Sequence, residues 1–358
     1  MLFDFIDKYV ARYQPYKEGR WCYEDGCIYR GLELLHVETG EQKWLDHLLR
    51  LCDAQVGHGG SLKGYNLTEY NIDNILPGRA LLYLHSLTGN RRYVDAADLL
   101  ARQLSTHPRT RSGVFWHKLR YPWQIWLDGL YMAHPFRIAH ALAHEQHSVV
   151  TDSLHQISTA MDVLFDLETG LYKHAFDEAC EQPWVTSANG QSQAMWSRAI
   201  GWLTMALVDV AELVGPDFAP LRARTVALLK TVQSYQQADG LWLQVMDRPE
   251  LTGNYGESSA SAMFTYALLK AARLGLVAQS AGLVDTLSAR CIKPAADGGH
   301  EMVGMCWVAG LGMFEGRYRD GTAEYYVSER KVADDAKGVA PLMMAAALEY
   351  LPNYSEQR

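Results

Sequence analysis

An acidic residue, Asp128, lies within the most aromatic stretch of the chain, residues 115–133. Its bulky apolar neighbours are Trp126, Leu127, Leu130 and Tyr131. Such neighbours would partly desolvate a carboxyl group and disfavour its charged form, which suits a general acid. The aromatic faces could also hold a ring-shaped ligand. A second interpretation is that Asp128 is the N-cap of a helix that starts at Gly129, and the two roles can coexist.

A second carboxylate, Asp73, occupies a similar place earlier in the chain. It lies within residues 71–78, before another apolar helical run. If the two runs are neighbouring helices of a repeat, Asp73 and Asp128 would face the same pocket. Two acidic groups in a shared pocket are the usual catalytic groups of enzymes that cleave glycosidic bonds. The alternative is that both residues are helix caps.

Arg198 and Trp202 are four residues apart, so a helix would present them on one face. Arginine binds carboxylates through paired hydrogen bonds, and tryptophan offers a stacking face for a sugar. The alternative is a core tryptophan covered by a surface arginine.

His117 and His174 each follow a glycine-aromatic stretch typical of a strand-like loop. Neither histidine is convincing alone, because single histidines are more often structural.

Three further histidines, His140, His144 and His147, are spaced in a way that suggests a metal site. Residues 144–147 are one residue short of the zinc-binding H-E-x-x-H pattern, and a solvated helix end explains them better. We therefore predict no metal. The chain also lacks the glycine-rich patterns of nucleotide-binding proteins and the G-x-S-x-G pattern of serine hydrolases.

Two stretches near the start of the chain indicate which elements would position these residues. In each, an apolar helical run ends at a Thr-Gly pair, at Gly40 or Gly89, and an amphipathic run follows. Glycine after the last periodic residue is a signal for the end of a helix. The unit is a helical hairpin that recurs after about fifty residues, which indicates a repeat of paired helices.

Later helical patterns fit the same scheme, at residues 136–144, 151–165, 201–213, 221–236, 259–274, 281–290 and 339–350. One helix of a pair tends to be apolar all round, as expected of a buried inner helix, and its partner is amphipathic. About six or seven such pairs fit the length. Because no polar end caps are evident, a closed ring explains the pattern better than an open array. No linker divides the chain, so we predict one domain, residues 1–358.

The loops before the apolar helices are rich in Trp, Tyr, His, Asn and Gly. In a ring of hairpins these loops emerge at one end and could jointly line one cleft. They lie at residues 21–26, 71–74, 115–128, 191–198 and 254–259.

Composition limits the partners. The chain has 358 residues, 48% of them apolar, and a net charge of −8. An acidic chain without a basic run argues against nucleic acid. No membrane span or signal peptide is evident. The six cysteines are scattered, which favours thiols in a reducing cytoplasm. We expect a cytoplasmic monomer or simple homo-oligomer that binds a small molecule.

Several motifs taken together resemble glycoside hydrolase family 105, the unsaturated rhamnogalacturonyl hydrolases. They are Trp-Leu-Asp128-Gly-Leu-Tyr-Met-Ala, Phe-Trp-His117-Lys, Trp196-x-Arg198-x-x-Gly-Trp202, Gly-Leu-Trp-x-Gln244-Val, the stretch that starts at Glu257, and Lys337-Gly-Val-Ala-Pro. The resemblance runs in order from about Trp21 to Leu351. The related unsaturated glucuronyl hydrolases of family 88 match less closely.

The resemblance implies an all-α fold, an (α/α)6 barrel. It also implies a substrate whose non-reducing end is a 4,5-unsaturated uronic acid, left when a lyase cuts pectin of the rhamnogalacturonan type. Asp128 would be the catalytic acid/base and Asp73 its partner carboxylate. The sugar site would be lined by His117, His174, Arg198 and Trp202, with Tyr23 as an additional candidate.

The implied chemistry needs no metal or organic cofactor. Protonation at C4 of the vinyl ether would create an oxocarbenium-like centre at C5, and water would add there. The hemiketal would then collapse and open the glycosidic bond. One carboxyl group can donate the proton and then help deprotonate the water. The substrate carboxylate would need cationic or donor groups, which Arg198, His117 and Lys118 could supply.

Three alternatives remain open from the sequence. The first is an unsaturated glucuronyl hydrolase that acts on glycosaminoglycan-type fragments. The second is another α/α-barrel enzyme, such as a sugar epimerase or an ordinary glycosidase. The third is a non-catalytic oligosaccharide-binding toroid, against which the acidic residues in the aromatic loops argue.

Overall fold

In a computed structural model, twelve helices in the described part of the chain alternate between an outer and an inner position. The structure describes residues 2–185, 189–296 and 298–349. The outer helices are α1 (Leu2–Arg12), α3 (Gln42–Asp53), α5 (Arg91–Thr106), α7 (His147–Leu164), α9 (Ala219–Ser234) and α11 (Leu283–Cys291). The inner helices are α2 (Tyr23–Thr39), α4 (Gly78–Thr88), α6 (Leu127–Ala143), α8 (Ser197–Val214), α10 (Ser258–Arg273) and α12 (Ala336–Glu349).

The inner helices close into a ring. Each packs against its neighbours in the order α2, α4, α6, α8, α10 and α12, and α12 returns to α2. The outer helices pack on this ring, for example α3 on α2 and α5 on α4. The architecture is the (α/α)6 barrel that the family resemblance implied.

Inner helices meet other helices on every side, so they carry apolar or small residues all round. In α12 every residue from Ala336 to Leu348 is buried. The stretch Ser197–Ser234, which contains α8, has the length and apolar composition of a membrane span. The sequence had suggested no membrane span. In the structure 78% of the most apolar part of this stretch is buried inside the protein. The inner ring accounts for this apolar character.

Both helix ends predicted from Thr-Gly pairs are confirmed. α2 ends at Thr39 and α4 at Thr88, and the following glycine adopts the left-handed conformation, with φ of 68° at Gly40 and 66° at Gly89. Each of these glycine amides donates to the carbonyl four residues earlier. A side chain at either glycine would strain the backbone, so the residue type fixes where each hairpin turns.

The predicted pattern at residues 136–144 is only the second half of α6. The helix starts at Leu127 and continues through Pro135. A proline costs one backbone hydrogen bond, which is why the sequence pattern suggested a later start. The final predicted helix ends at Tyr350, and the family resemblance ends at Leu351. Both residues lie outside the described part of the chain.

The remaining elements are short. Four antiparallel pairs are formed by β1 (Gln124–Trp126) with β2 (Ala175–Asp177), β3 (Ile292–Pro294) with β4 (His300–Met302), β5 (Met305–Cys306) with β8 (Lys331–Val332), and β6 (Gly312–Phe314) with β7 (Arg317–Arg319). Short helical turns occur at Tyr16–Gly19, His58–Gly60, Leu67–Glu69, Ile72–Ile75, Gly215–Phe218 and Ala323–Ser328.

A carboxylate, Asp209, is completely buried inside the ring. The ammonium of Lys270 lies 2.9 Å from it, and the guanidinium of Arg79 also contacts it. Burial raises the pKa of Asp209, but these cations outweigh it and hold the pKa well below the ordinary value. Removing one of these cations would leave the buried charge of Asp209 less compensated and would destabilise the fold.

Candidate active site

A cavity of about 450 Å³ opens where several inner helices begin. Its walls come from the segments before α2, α4 and α6 and from the long segment between α11 and α12. The lining residues used below are Tyr23, Asp73, His117, Lys118, Arg120, Tyr121, Trp126, Asp128, Trp307, Arg319 and Lys337. The predicted loops at 21–26, 71–74 and 115–128 therefore do share one cleft.

Asp128 lies in the first turn of α6. The N-cap of this helix is Trp126, and no side chain caps it. The interpretation of Asp128 as the cap of a helix that starts at Gly129 is therefore wrong, because the helix already begins at Leu127. The side chain of Asp128 keeps 16% of its surface exposed and lines the cavity.

His174 lies directly against Asp128. The pairing of β1 with β2 sets Trp126 opposite Ala175, and the amide of Leu127 donates to the carbonyl of His174 over 3.0 Å. These contacts bring His174 Nε2 to 3.1 Å from Asp128 Oδ2. The backbone pairing of two short strands thus joins residues that are 46 positions apart in the sequence.

The contact between Asp128 and His174 is close but not aligned. Although the two atoms are 3.1 Å apart, both are buried without a hydrogen-bond partner among the described residues, because the angles do not suit a hydrogen bond. On its other side, His174 Nδ1 lies 2.6 Å from the hydroxyl of Tyr326. Catalytic hydrogen bonds are often misaligned in a free enzyme and tighten when substrate binds. The pair has the geometry of such a contact.

Asp73 lines the same cavity in a different environment. It is in the turn Ile72–Ile75, whose N-cap is Asn71, so the capping interpretation of Asp73 is also wrong. The ammonium of Lys118 is 2.5 Å from Asp73 Oδ2. Burial raises the pKa of Asp73, but the charge of Lys118 more than offsets it and holds the pKa below the ordinary value. Asp73 is therefore ionised near neutral pH.

His117 forms part of an aromatic wall. Its ring stacks on Trp126, with centroids 4.5 Å apart, and lies parallel to Tyr121. Burial lowers the pKa of His117 to about 3, against the opposing effect of Asp73. His117 is consequently neutral and contributes a hydrogen-bonding ring rather than a positive charge.

Tyr23 lines the cavity at the start of α2, in agreement with its place among the candidates. Burial raises the pKa of its phenol well above the ordinary value, and Glu24 and Asp73 add to the effect. The hydroxyl therefore stays protonated and can donate a hydrogen bond to a ligand.

The structure does not bring His174, Arg198 or Trp202 to the cavity lining, and the fully buried His174 reaches the site only through its contact with Asp128. Arg198 is 1% exposed. Its guanidinium contacts Glu257 Oε1 at 3.3 Å and donates to the backbone carbonyls of Cys306 and Trp307. Trp202 lies one turn deeper in α8 and stacks on Tyr131 with centroids 5.2 Å apart.

The segment between α11 and α12 explains why Arg198 and Trp202 are covered. Its strand β5 lies over the start of α8 and α10, where the amide of Cys306 donates to Glu257 Oε1 over 2.8 Å. The cavity lining does not include the predicted loops at 191–198 and 254–259. A spacing of four residues identifies a helical face, but it does not show what packs on that face.

Two arginines that the sequence analysis missed line the cavity. Arg120 and Arg319 form no ion pair with any described residue, whereas Lys118 is paired with Asp73, and Lys337 with Asp335. Arg319 is 5% exposed and donates to the carbonyls of Gly312 and Leu311. The charge of Arg120, two residues after Lys118, was the available signal. Nothing in the sequence linked Arg319 to this site.

Fold and site together define a class of protein. A closed ring of helical hairpins carries two carboxylates in one cavity, beside imidazole and indole rings that offer stacking faces. This arrangement suits a carbohydrate-processing hydrolase.

Comparison with known proteins gives the family. The model of Glycosyl Hydrolase Family 88 matches residues 4–354. A structure of a family 105 glycoside hydrolase from C. acetobutylicum ATCC 824 is 35% identical and superposes with a TM-score of 0.90, covering 97% of both chains. The chain therefore belongs to the glycoside hydrolases of families 88 and 105, the unsaturated uronyl hydrolases, as the sequence motifs predicted.

Two curated relatives add to this assignment. The unsaturated rhamnogalacturonyl hydrolase YesR of Bacillus subtilis (strain 168) is 29% identical over 279 residues, which cover 75% of this chain and 76% of that protein. Protein Atu3128 of Agrobacterium fabrum (strain C58 / ATCC 33970) is 46% identical over 228 residues, which cover 60% of this chain and 97% of that protein.

Proposed function

We propose that the protein removes a 4,5-unsaturated uronic acid from the non-reducing end of oligosaccharides that a lyase releases from rhamnogalacturonan-type pectin. The observation that carries the proposal is that Asp128 and the ionised Asp73 line one cavity, where Asp128 is backed by the fully buried His174. The similarity to the rhamnogalacturonyl hydrolase of Bacillus subtilis supports pectin as the source of the substrate.

In the proposed reaction, Asp128 donates its proton to C4 of the unsaturated sugar. Positive charge develops at C5, and a water molecule adds there while Asp128 takes back a proton from it. The product of hydration is a hemiketal, which collapses with cleavage of the glycosidic bond and release of the uronate as a keto acid. Asp128 ends in its starting state, so no other proton donor is required.

The neighbours of Asp128 have supporting roles in this proposal. The hydroxyl of Tyr326, 2.6 Å from His174 Nδ1, holds the ring with its Nε2 atom facing Asp128. His174 then orients the carboxyl group. The negative charge of Asp73, held by Lys118, stabilises the positive charge that develops on the sugar ring.

The carboxylate of the substrate requires a cation that is not already neutralised. Arg198 cannot meet this requirement, because it is buried against Glu257. His117 cannot either, because it is neutral. We assign the role to Arg120 and Arg319, which line the cavity without ion pairs among the described residues. The exposed guanidinium of Arg120 has the fork geometry that matches a carboxylate, and Arg319, two of whose nitrogens already donate to backbone carbonyls, adds positive charge beside it.

A panel of lyase-made disaccharides tests the proposal. The conjugated double bond of an unsaturated uronate absorbs ultraviolet light, and hydration abolishes the absorbance. We expect the fastest loss with disaccharides from rhamnogalacturonan. Faster loss with glycosaminoglycan disaccharides would contradict the pectin assignment and favour the glucuronyl alternative. Saturable binding without any loss of absorbance would contradict the hydrolase reaction itself.

A further inference from the structure

The outer surface of the barrel carries a group of three side chains that the proposed reaction does not use. Asp98 is on α5, His140 is in the last turn of α6, and His144 follows directly as the C-cap of that helix. His140 Nε2 is 2.8 Å from Asp98 Oδ1, and His144 Nε2 is 3.7 Å from the same oxygen. These three ligand atoms all lie within 4.8 Å of one another.

The spacing of these atoms matches the requirements of a metal ion. With metal–ligand bonds of about 2.0–2.2 Å, the ligand atoms of a tetrahedral site lie roughly 3.3–3.5 Å apart. The observed separations of 2.8 and 3.7 Å bracket this range. Histidines four residues apart on a helix present both rings on one face. Helix α6 and its neighbour α5 thus supply two imidazoles and one carboxylate without a change of backbone.

The charges also favour a cation. In the described part of the chain, the carboxylate of Asp98 contacts the two imidazoles and no lysine or arginine. Asp98 and His144 keep 40% and 39% of their side chains exposed, whereas His140 keeps 11%. An ion could therefore enter from solvent and bind against one ligand that is already held in place.

We propose that Asp98, His140 and His144 form a binding site for a divalent transition-metal ion such as Zn²⁺. Two imidazoles and a carboxylate leave a fourth position for water. A solvated helix end was the preferred explanation for His140, His144 and His147 because residues 144–147 are one short of H-E-x-x-H. The structure adds a ligand that no local pattern shows, a carboxylate from another helix.

The distance from the cavity indicates a structural role. Asp128 is in the first turn of α6 and His144 follows its last residue, so 16 residues, or about 24 Å of helix, separate them. A metal at this site would link an outer helix to the inner helix of the next hairpin. Because it would bind the folded chain selectively, it should raise the melting temperature without taking part in the reaction.

The test uses the full chain, without a histidine tag and stripped of metal by a chelator. We expect calorimetric titration with ZnCl₂ to show one strong site per chain, a melting temperature that rises with added Zn²⁺, and no comparable response to MgCl₂. The variants His144→Ala and Asp98→Asn should each lower the affinity for Zn²⁺ at least tenfold. His155→Ala, at an exposed histidine on α7, should bind Zn²⁺ like the parent.

Each other outcome would overturn the proposal. Absence of stoichiometric binding of both Zn²⁺ and Ni²⁺ would show that the three side chains form only a hydrogen-bonded surface cluster. Binding that persists in both His144→Ala and Asp98→Asn would place the ion elsewhere, for example on a thiol. Circular dichroism of the metal-free variants checks that any loss of binding does not come from unfolding.

Discussion

The two carboxylates of the cavity differ in their immediate surroundings. Asp73 has an ammonium at ion-pair distance, which keeps it charged. Asp128 instead faces an imidazole and has a buried oxygen without a hydrogen-bond partner among the described residues. Enzymes separate acid and base roles by giving two titratable groups different environments. On this basis we assign the charged, electrostatic role to Asp73 and proton transfer to Asp128.

The pairing of Lys118 with Asp73 leads to a prediction for the pH profile. Lys118→Met removes the group that lowers the pKa of Asp73 most, so the effect of burial would be less opposed and the pKa would rise. We expect the acidic limb of kcat/KM to move to higher pH by about one unit or more, because Asp73 must be ionised. Rate measurements across the acidic range check this. Lys331→Met, at an exposed residue outside the cavity lining, is the control. An acidic limb that stays in place would contradict the assigned role of Asp73.

At the scale of elements, the position of a residue along an inner helix decides whether its side chain packs in the core or can contact a ligand. Trp202 shares a helical face with Arg198 but is 2% exposed and stacks on Tyr131 of α6. We expect Trp202→Ala to cost about 3–5 kcal/mol of unfolding free energy. KM of the remaining folded enzyme should be unchanged. Urea unfolding and steady-state kinetics measure the two quantities. A raised KM with normal stability would instead support the sugar platform that the sequence suggested.

The cover that β5 forms over α8 and α10 depends on a buried ion pair. Arg198 joins the carbonyls of Cys306 and Trp307 to Glu257, which is itself fully buried. Arg198→Met would leave the charge of Glu257 without its cation, at an expected cost of about 3–5 kcal/mol. The exposed Arg91 on α5 provides a control, since Arg91→Met should change stability by less than about 0.5 kcal/mol. Equal stability of the two variants in urea would contradict this account of the cover.

The sequence predicted the parts of the site that depend on the repeat. Thr-Gly pairs identified the hairpins, and the positions of Asp73 before α4 and of Asp128 in the first turn of α6 place both carboxylates in one cavity. The residues that were misplaced or missed depend on packing between distant segments. The segment between α11 and α12 covers Arg198 and contributes Arg319, and no local pattern reports where such a segment lies. Likewise, Asp98 joins His140 only because α5 packs beside α6.

At the scale of the whole molecule, buried neutral histidines should govern stability in acid. Burial lowers the pKa of His107 to about 4, and of His117 and His134 to about 3. In the unfolded chain these groups titrate near a pKa of about 6.5. The unfolded state therefore binds more protons between these values, and stability rises with pH in this window. The lowered pKa of Asp209 acts in the same direction at lower pH.

We expect the free energy of unfolding to fall steadily as the pH is lowered from about 6.5 to 4, by up to about 1.4 kcal/mol per pH unit for each histidine. Urea unfolding at several pH values measures the slope. His134→Phe should reduce the slope, because Phe cannot take up a proton when the chain unfolds. The exposed His155→Phe should leave it unchanged. Stability that is flat or increases towards acid would contradict this explanation.

The central claim for the molecule is that Asp128 transfers the proton that starts the reaction, and Asp128→Asn tests it most directly. Asparagine preserves the shape of the side chain but cannot act as the acid. The measurement is the loss of ultraviolet absorbance from an unsaturated rhamnogalacturonan disaccharide, together with the melting temperature. We predict a near-normal melting temperature and activity reduced by at least about a hundredfold. A variant that melts normally and still turns over the substrate at a rate close to that of the parent would contradict the claim.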